Sequence, residues 1–257
     1  MLNHLVPWRR AARAAPVDRG WDFHCHLIPG VDDGVRTLEE ARETIAALKA
    51  LGFRGGVVTP HIYAGVYDNT AQSLREAFAD FQQQIGDDYG LILGAEYHTT
   101  EAFFDLIAAG DLLHVLLPDR RLVLVEFPYL MPSPYGMEAL DAVTRAGYQP
   151  VLAHVERYRY IQADPETWLA DLARRDVWLQ CNIGSLAGMY GERPRRMAQR
   201  LLDQGGPALW GSDVHRPMQI RRYVEVGLRE LRGRGVLSGR LTPKVSRGRR
   251  SAFPSQR

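Results

Sequence analysis

Residues able to hold divalent cations recur along this 257-residue chain at the ends of short apolar runs. His24 and His26 end the first run, His61, Glu96, Glu126 and His154 end later ones, and Asp213 and His215 close the series. Five of the eight histidines fall at these places, although the set spans about 190 positions. The i, i+2 spacing of His24 with His26, repeated by Asp213 with His215, puts both members on one face of an extended strand. A carboxylate that ends an apolar run, as Glu96 and Glu126 do, is costly to desolvate unless it is paired or bound to a cation. The turn 31-VDDG-34 offers one more carboxylate over the same end, Asp33 in preference to Asp32. Nine mixed imidazole and carboxylate candidates exceed the needs of one ion and include no thiolate, which disfavours a structural zinc site. They suit manganese, iron or zinc in a multinuclear centre that activates water against a phosphate ester. Neither Cys25 nor Cys181 precedes the arginine that a phosphate-cradling cysteine loop needs, so water is the expected nucleophile.

These residues lie far apart in the chain, so the fold must gather them. The runs 21-WDFHCH-26, 57-VVTPH-61, 91-LILGAE-96, 121-RLVLVEF-127, 150-PVLAH-154, 177-VWLQCN-182 and 208-ALWGSD-213 are continuously apolar rather than alternating. That pattern predicts strands buried on both faces of a parallel sheet. Positions 26, 61, 96, 126, 154, 182 and 213 stand 35, 35, 30, 28, 28 and 31 residues apart. Such intervals match βα units, with helices expected at 41–52, 70–85, 137–147, 165–175, 194–204 and 217–232. Thr37 and Glu40 form a capping-box signature before the first of them. The expected fold is α/β, a seven-stranded TIM-like barrel, in which strand C-termini converge on one functional face.

Composition bounds the rest. The apolar fraction of 46% and charged fraction of 24% are ordinary for a chain with a sizeable core. No run long enough to span a membrane and no signal-peptide pattern is evident, and two cysteines make no disulfide scaffold, so a cytoplasmic address is expected. Residues 232–257 carry eight basic and no acidic side chains, leaving 24 basic against 30 acidic in residues 1–231. The body is therefore no nucleic-acid surface, whereas the tail reads as disordered and offers peripheral contact with anionic lipid. The expected division is an extension over 1–20, a catalytic domain over 21–232 and the tail over 233–257. Oligomeric state is not legible.

The stretches 22-DFHCHLIPGVDDG-34, 59-TPH-61, 94-GAE-96, 125-VEFP-128, 153-AHVERY-158, 185-SLAG-188 and 212-SDVH-215 resemble, in order, those of the PHP (polymerase and histidinol phosphatase) superfamily. Within it, the chain is most similar to the bacterial capsule and exopolysaccharide protein-tyrosine phosphatases. The resemblance implies a distorted (β/α)7 barrel with three divalent ions, usually described with manganese. One ion would take His24, His26, Glu96 and Asp213, a second Glu96, Glu126 and His154, and a third Asp33, His61 and His215. It also implies that His154 and Arg157 are catalytic, with Arg157 binding phosphate, and that the substrate is phosphotyrosine on an autophosphorylating bacterial tyrosine kinase controlling polysaccharide export. Val155 and Ile62 stand where relatives often have Pro and His.

Tyr63 and Tyr67 follow His61, and an aromatic wall there would stack on a phosphotyrosine ring. The alternatives are a small-molecule phosphatase of the same superfamily, acting on histidinol phosphate or a nucleotide, an amidohydrolase-type barrel, and a non-catalytic binding protein.

Overall fold

The computed structural model describes residues 20–236. The extension over 1–19 and the basic tail beyond 236 lie outside the described residues.

Ten strands are described: β1 Trp21–Cys25, β2 Gly55–Val58, β3 His61–Ile62, β4 Gly90–Leu93, β5 Glu96–His98, β6 Val115–Leu116, β7 Arg121–Glu126, β8 Gln149–Leu152, β9 Trp178–Asn182 and β10 Leu209–Gly211. They form two parallel sheets, ordered β1-β2-β4 and β10-β9-β8-β7-β5-β3, with β6 antiparallel on β7. All seven expected runs are present, but the second and third are each broken into two short strands. Pro60, between β2 and β3, has no N–H to donate to a ladder. Loop hydrogen bonds carry the pairing across these breaks, from Thr59 N to Cys25 O (2.9 Å), Gly94 N to Val58 O (2.8 Å) and Glu96 N to Pro60 O (3.0 Å). The first and last runs meet through Asp213 N to His24 O (2.8 Å) and His26 N to Val214 O (3.1 Å). The observed architecture is thus an α/β fold of two parallel arcs rather than one unbroken seven-stranded ladder.

Two glycines let the chain press against the first strand. A Cβ at Gly211 would lie 2.4 Å from that of His24, and one at Gly34 would lie 2.6 Å from that of His26. Larger residues at either place would displace a candidate ligand.

Helices Leu38–Ala50, Ala71–Ile85, Gly136–Arg145, Pro165–Arg174 and Glu192–Asp203 fall where expected. The last expected helix contains a π turn at Ile220–Val224 and ends at Gly233, and the helix Glu101–Ala109 was not anticipated. Only half of the predicted capping box forms. Thr37 accepts from Glu40 N (3.2 Å), but the Glu40 carboxylate turns to Arg36 N (2.8 Å). At the C-terminal end of the described residues, Arg234 pairs with Asp203 and Val236 packs against the core. Trp178 and Trp210 are core residues, whereas Trp168 is partly buried beside Tyr160.

Candidate metal centre

β1 places His24 and His26 on one face, both buried. Their Nε2 atoms are 3.1 Å apart. Glu96 Oε2 lies 3.1 Å from His24 Nε2 and 3.5 Å from His26 Nε2, and Asp213 Oδ1 lies 3.5 Å from each. Donors held about 2.0–2.2 Å from one tetrahedral cation stand roughly 3.3–3.6 Å from one another. The four atoms therefore have the spacing of a coordination cage. Each ring is fixed from behind. His24 Nδ1 meets Gln180 Oε1 at 3.2 Å and His26 Nδ1 meets Asp32 Oδ2 at 2.8 Å, so a proton on Nδ1 leaves the Nε2 lone pair facing the cage.

Asp213 divides its oxygens in the same way. While Oδ1 faces the histidines, Oδ2 accepts from Asn182 Nδ2 (2.6 Å), Tyr190 Oη (2.9 Å) and Arg157 Nη1 (3.2 Å). Asp213 and His154 have positive φ angles, 51° and 28°, conformations that a non-glycine residue holds only where its surroundings impose them. Both residues belong to the cluster.

Glu96 joins the cage to a second group. Its Oε1 lies 2.8 Å from His154 Nε2, which is 3.5 Å from Glu126 Oε1. A third group lies toward the loops, where Asp33 Oδ1 is 3.4 Å from both His61 Nε2 and His215 Nε2. The structure thus gathers all nine residues expected from the sequence. It also separates Asp32 from Asp33. Asp32 braces His26, Gly34 N and His61 N from behind, while Asp33 faces the two outer histidines.

Two groupings differ from the expected sets. His26 also falls within 4.8 Å of the outer donors, and His61 Nδ1 turns toward Glu96 (3.3 Å) and Glu126 (3.7 Å). His61 therefore stands between two groups rather than in the outer one alone.

Proton affinities differ across the cluster. Burial alone would lower His24, but the carboxylates of Glu96 and Asp213 raise it to about 9. His26 rises in the same way, against its burial, through Asp32. Burial outweighs the nearby Glu96 carboxylate at His154, lowering it to about 4, and burial together with Glu96 raises Glu126 to about 8. Nδ1 of His61 and of His154 are buried without hydrogen-bond partners. Carboxylates and ring nitrogens crowded at these distances, with His61 Nδ1 aimed at them and lacking a hydrogen-bond partner, suit a set of divalent cations.

Arg157 follows His154 in a 3₁₀ turn, Val155–Arg157. It does not pair with Glu156, whose buried carboxylate instead accepts from Ser185 Oγ (2.6 Å) and Asn182 N (3.1 Å). The Arg157 guanidinium lies 4.3 Å from the Tyr129 ring and 4.0 Å from the Tyr190 ring. Tyr129 also donates to Glu126. Sequence reasoning passed over Tyr129, Tyr190 and Gln180, which lie outside the strand-end pattern. Asn182, which ends a run, carried the one available signal.

The two tyrosines after His61 each stack on a histidine. Tyr67 stacks on His61 with centroids 5.3 Å apart, whereas Tyr63 stacks on His98 at 3.9 Å. His114 bonds the Leu112 carbonyl and takes no part, and His4 lies outside the described residues.

Residues 20–229 match the family model described as capsular polysaccharide synthesis, CpsB/CapC. Among curated proteins, the chain is 32% identical to tyrosine-protein phosphatase YwqE of Bacillus subtilis over 197 residues, 76% of each chain. It is 25% identical to tyrosine-protein phosphatase CpsB of Streptococcus pneumoniae over 80% of this chain and 88% of that one. A solved structure from a study of YwqE and CpsB, described there as unique metal-dependent tyrosine phosphatases, superposes with a TM-score of 0.70 at 28% identity. It covers 80% of this chain and 83% of that one. The chain belongs to the CpsB/CapC family of capsular polysaccharide synthesis proteins.

Proposed function

We propose that this protein is a metal-dependent phosphomonoesterase that hydrolyses phosphotyrosine in protein, with residues 21–232 as its catalytic domain. The seven runs are read as staves of a distorted barrel whose C-terminal mouth holds the site. The carrying observation is Arg157, held against the rim of a nine-residue cation cage by Asp213, a member of that cage.

Cations bound there, three in number and manganese foremost, with iron or zinc as alternatives, would supply Lewis-acid polarisation and a strongly acidified water. His24, His26, Glu96 and Asp213 would hold one of them, Glu96, Glu126 and His154 a second, and Asp33, His61 and His215 a third. Among the described residues the side chain of Arg157 donates only to Asp213, so its planar fork retains donors for phosphoryl oxygens. Tyr129 and Tyr190 restrain the fork by stacking and thereby fix the phosphate position. Tyr63 and Tyr67, in the loop after His61, would offer ring faces for the substrate phenol. A phenolate, with a pKa near 10 in water, departs more readily than an alkoxide, so no strong acid side chain is required.

The natural substrate is read as an autophosphorylating tyrosine kinase of a polysaccharide-export system. Hydrolysis would take place on the cytoplasmic side. Among the described residues no helix is long and apolar enough to cross a membrane.

Turnover of a phosphotyrosine peptide, histidinol phosphate and a nucleotide bisphosphate, compared on the metal-loaded protein, tests this reading. The peptide should have the highest kcat/KM. A clear preference for either small molecule would contradict it.

A further inference from the structure

One strongly cationic feature lies outside the metal centre. On the helix Glu192–Asp203, Arg193, Arg196 and Arg200 follow one another at intervals of three and four residues, which puts them on one face. With Arg159 they line a groove of about 430 Å³ shared with Gln162, Met197, Ala163 and Pro165, and no carboxylate lines it. Acids at its margins neutralise it only in part. Glu192 lies 3.6 Å from Arg196, and Glu166 pairs with Arg200. The side chains of Arg159 and Arg193 have neither hydrogen-bond nor ion-pair partners among the described residues.

Two of the residues lining the groove are tied to the surroundings of the phosphate-binding arginine. Arg159 stands two residues beyond Arg157, and its N–H donates to the carbonyl of Tyr129 (2.9 Å), whose ring lies against Arg157. Tyr190, against the opposite side of that guanidinium, stands three residues before Arg193. From Arg193 to Arg200 the helix rises about 10 Å, a length matched by roughly three residues of extended peptide.

We propose that this groove docks an acidic stretch of the phosphoprotein, a few residues from the phosphotyrosine bound at the metal centre. The inference rests on the phosphatase reading and adds a sequence preference to it. A concave groove of this size fits an extended chain better than a planar bilayer. The surrounding body also carries more acids than bases, 30 against 24 in residues 1–231, which opposes broad adhesion to nucleic acid or anionic lipid. A local run of arginines, of which Arg159 and Arg193 have no ion-pair partner among the described residues, would instead favour polypeptides bearing Asp or Glu near the phosphotyrosine and hasten their encounter.

The test uses the full-length, metal-loaded protein with two phosphotyrosine peptides of equal length, one acidic around the phosphotyrosine and one neutral. p-Nitrophenyl phosphate serves as a probe too small to reach the groove. The wild type should show a KM about fivefold lower for the acidic peptide, a gap that narrows in high salt. The double variant Arg193→Glu with Arg196→Glu should raise that KM about tenfold, leaving kcat and p-nitrophenyl phosphate turnover unchanged.

Equal KM values for the two peptides in the wild type would overturn the docking proposal alone. So would a variant that loses binding to anionic vesicles or nucleic acid but keeps its peptide KM. A parallel fall in p-nitrophenyl phosphate turnover would also overturn it, by assigning these arginines to the fold or the catalytic centre. A wild type that hydrolyses neither peptide would remove the phosphatase reading as well.

Discussion

The inner and outer parts of the metal centre use the same residue types but are held in different ways. In the inner cage His24, His26, Glu96 and Asp213 are buried, and a buried hydrogen-bonding side chain stands behind each of the two rings and behind Asp213. In the outer group Asp33 has a side chain 52% exposed, His215 one 19% exposed and His61 one 11% exposed. Asp33 comes from a turn, and the loop after His61 is tied down by Asn69, which donates to the Val31 and His61 carbonyls (2.9 and 2.8 Å). Position is over-determined in the inner part and held by loops in the outer part. The inner cage should therefore bind its ion tightly, while the outer group exchanges its ion with solvent and leaves room for substrate.

Replacing the residue common to the inner groups should have the largest effect. Glu96→Ala removes both oxygens that approach His24, His26, His61 and His154. Turnover should fall by three orders of magnitude or more, and the purified protein should lose most of its bound metal by elemental analysis. Retention of a full metal complement in that variant would dismiss the bridging role of Glu96.

Asp33→Ala should be milder. Affinity for one ion should weaken by about 10–100-fold while the remaining ions stay bound, so excess metal should restore much of the turnover. Metal titration monitored by calorimetry would show one weakened phase beside unchanged ones. If every phase weakens equally, the centre is a single cooperative unit and the contrast between its parts fails.

A smaller, graded difference is expected with pH. In the ion-free protein His24 holds its proton up to about pH 9, above its ordinary 6.5, and a cation must displace that proton. Burial, by contrast, lowers His61, which is neutral at pH 7 and already fit to coordinate. Between pH 6 and 8 the inner affinity should rise by up to tenfold per unit for each proton released, and the outer affinity should change less. Affinities that are flat with pH in both parts would contradict this assignment.

Much of this centre is legible in the sequence because its ligands punctuate apolar runs. Five histidines and three acids interrupt otherwise buried strands, and only a shared polar site accounts for their cost there. Asp33 is different, since the turn containing Asp32 and Asp33 carries two carboxylates and only the folded backbone shows which one faces the histidines. Tyr129 and Tyr190 escape detection because they come from irregular loops, and their roles depend on where Arg157 lies in space. The breaks at Thr59-Pro60 and Gly94-Ala95 split runs that read as continuous, since hydrophobicity records burial and not ladder pairing. The helix Glu101–Ala109 lies past the third run, and its mostly apolar sequence EAFFDLIAA has no broad polar face to mark a helical period.

The central claim is that residues far apart in the chain build a cation cluster that cleaves phosphotyrosine. Its most direct test measures metal content and phosphopeptide hydrolysis on one preparation, before and after chelation. The account predicts bound divalent ions, loss of activity when they are removed and recovery when manganese is restored. An ion-free protein that still hydrolyses the phosphopeptide at the original rate would contradict it.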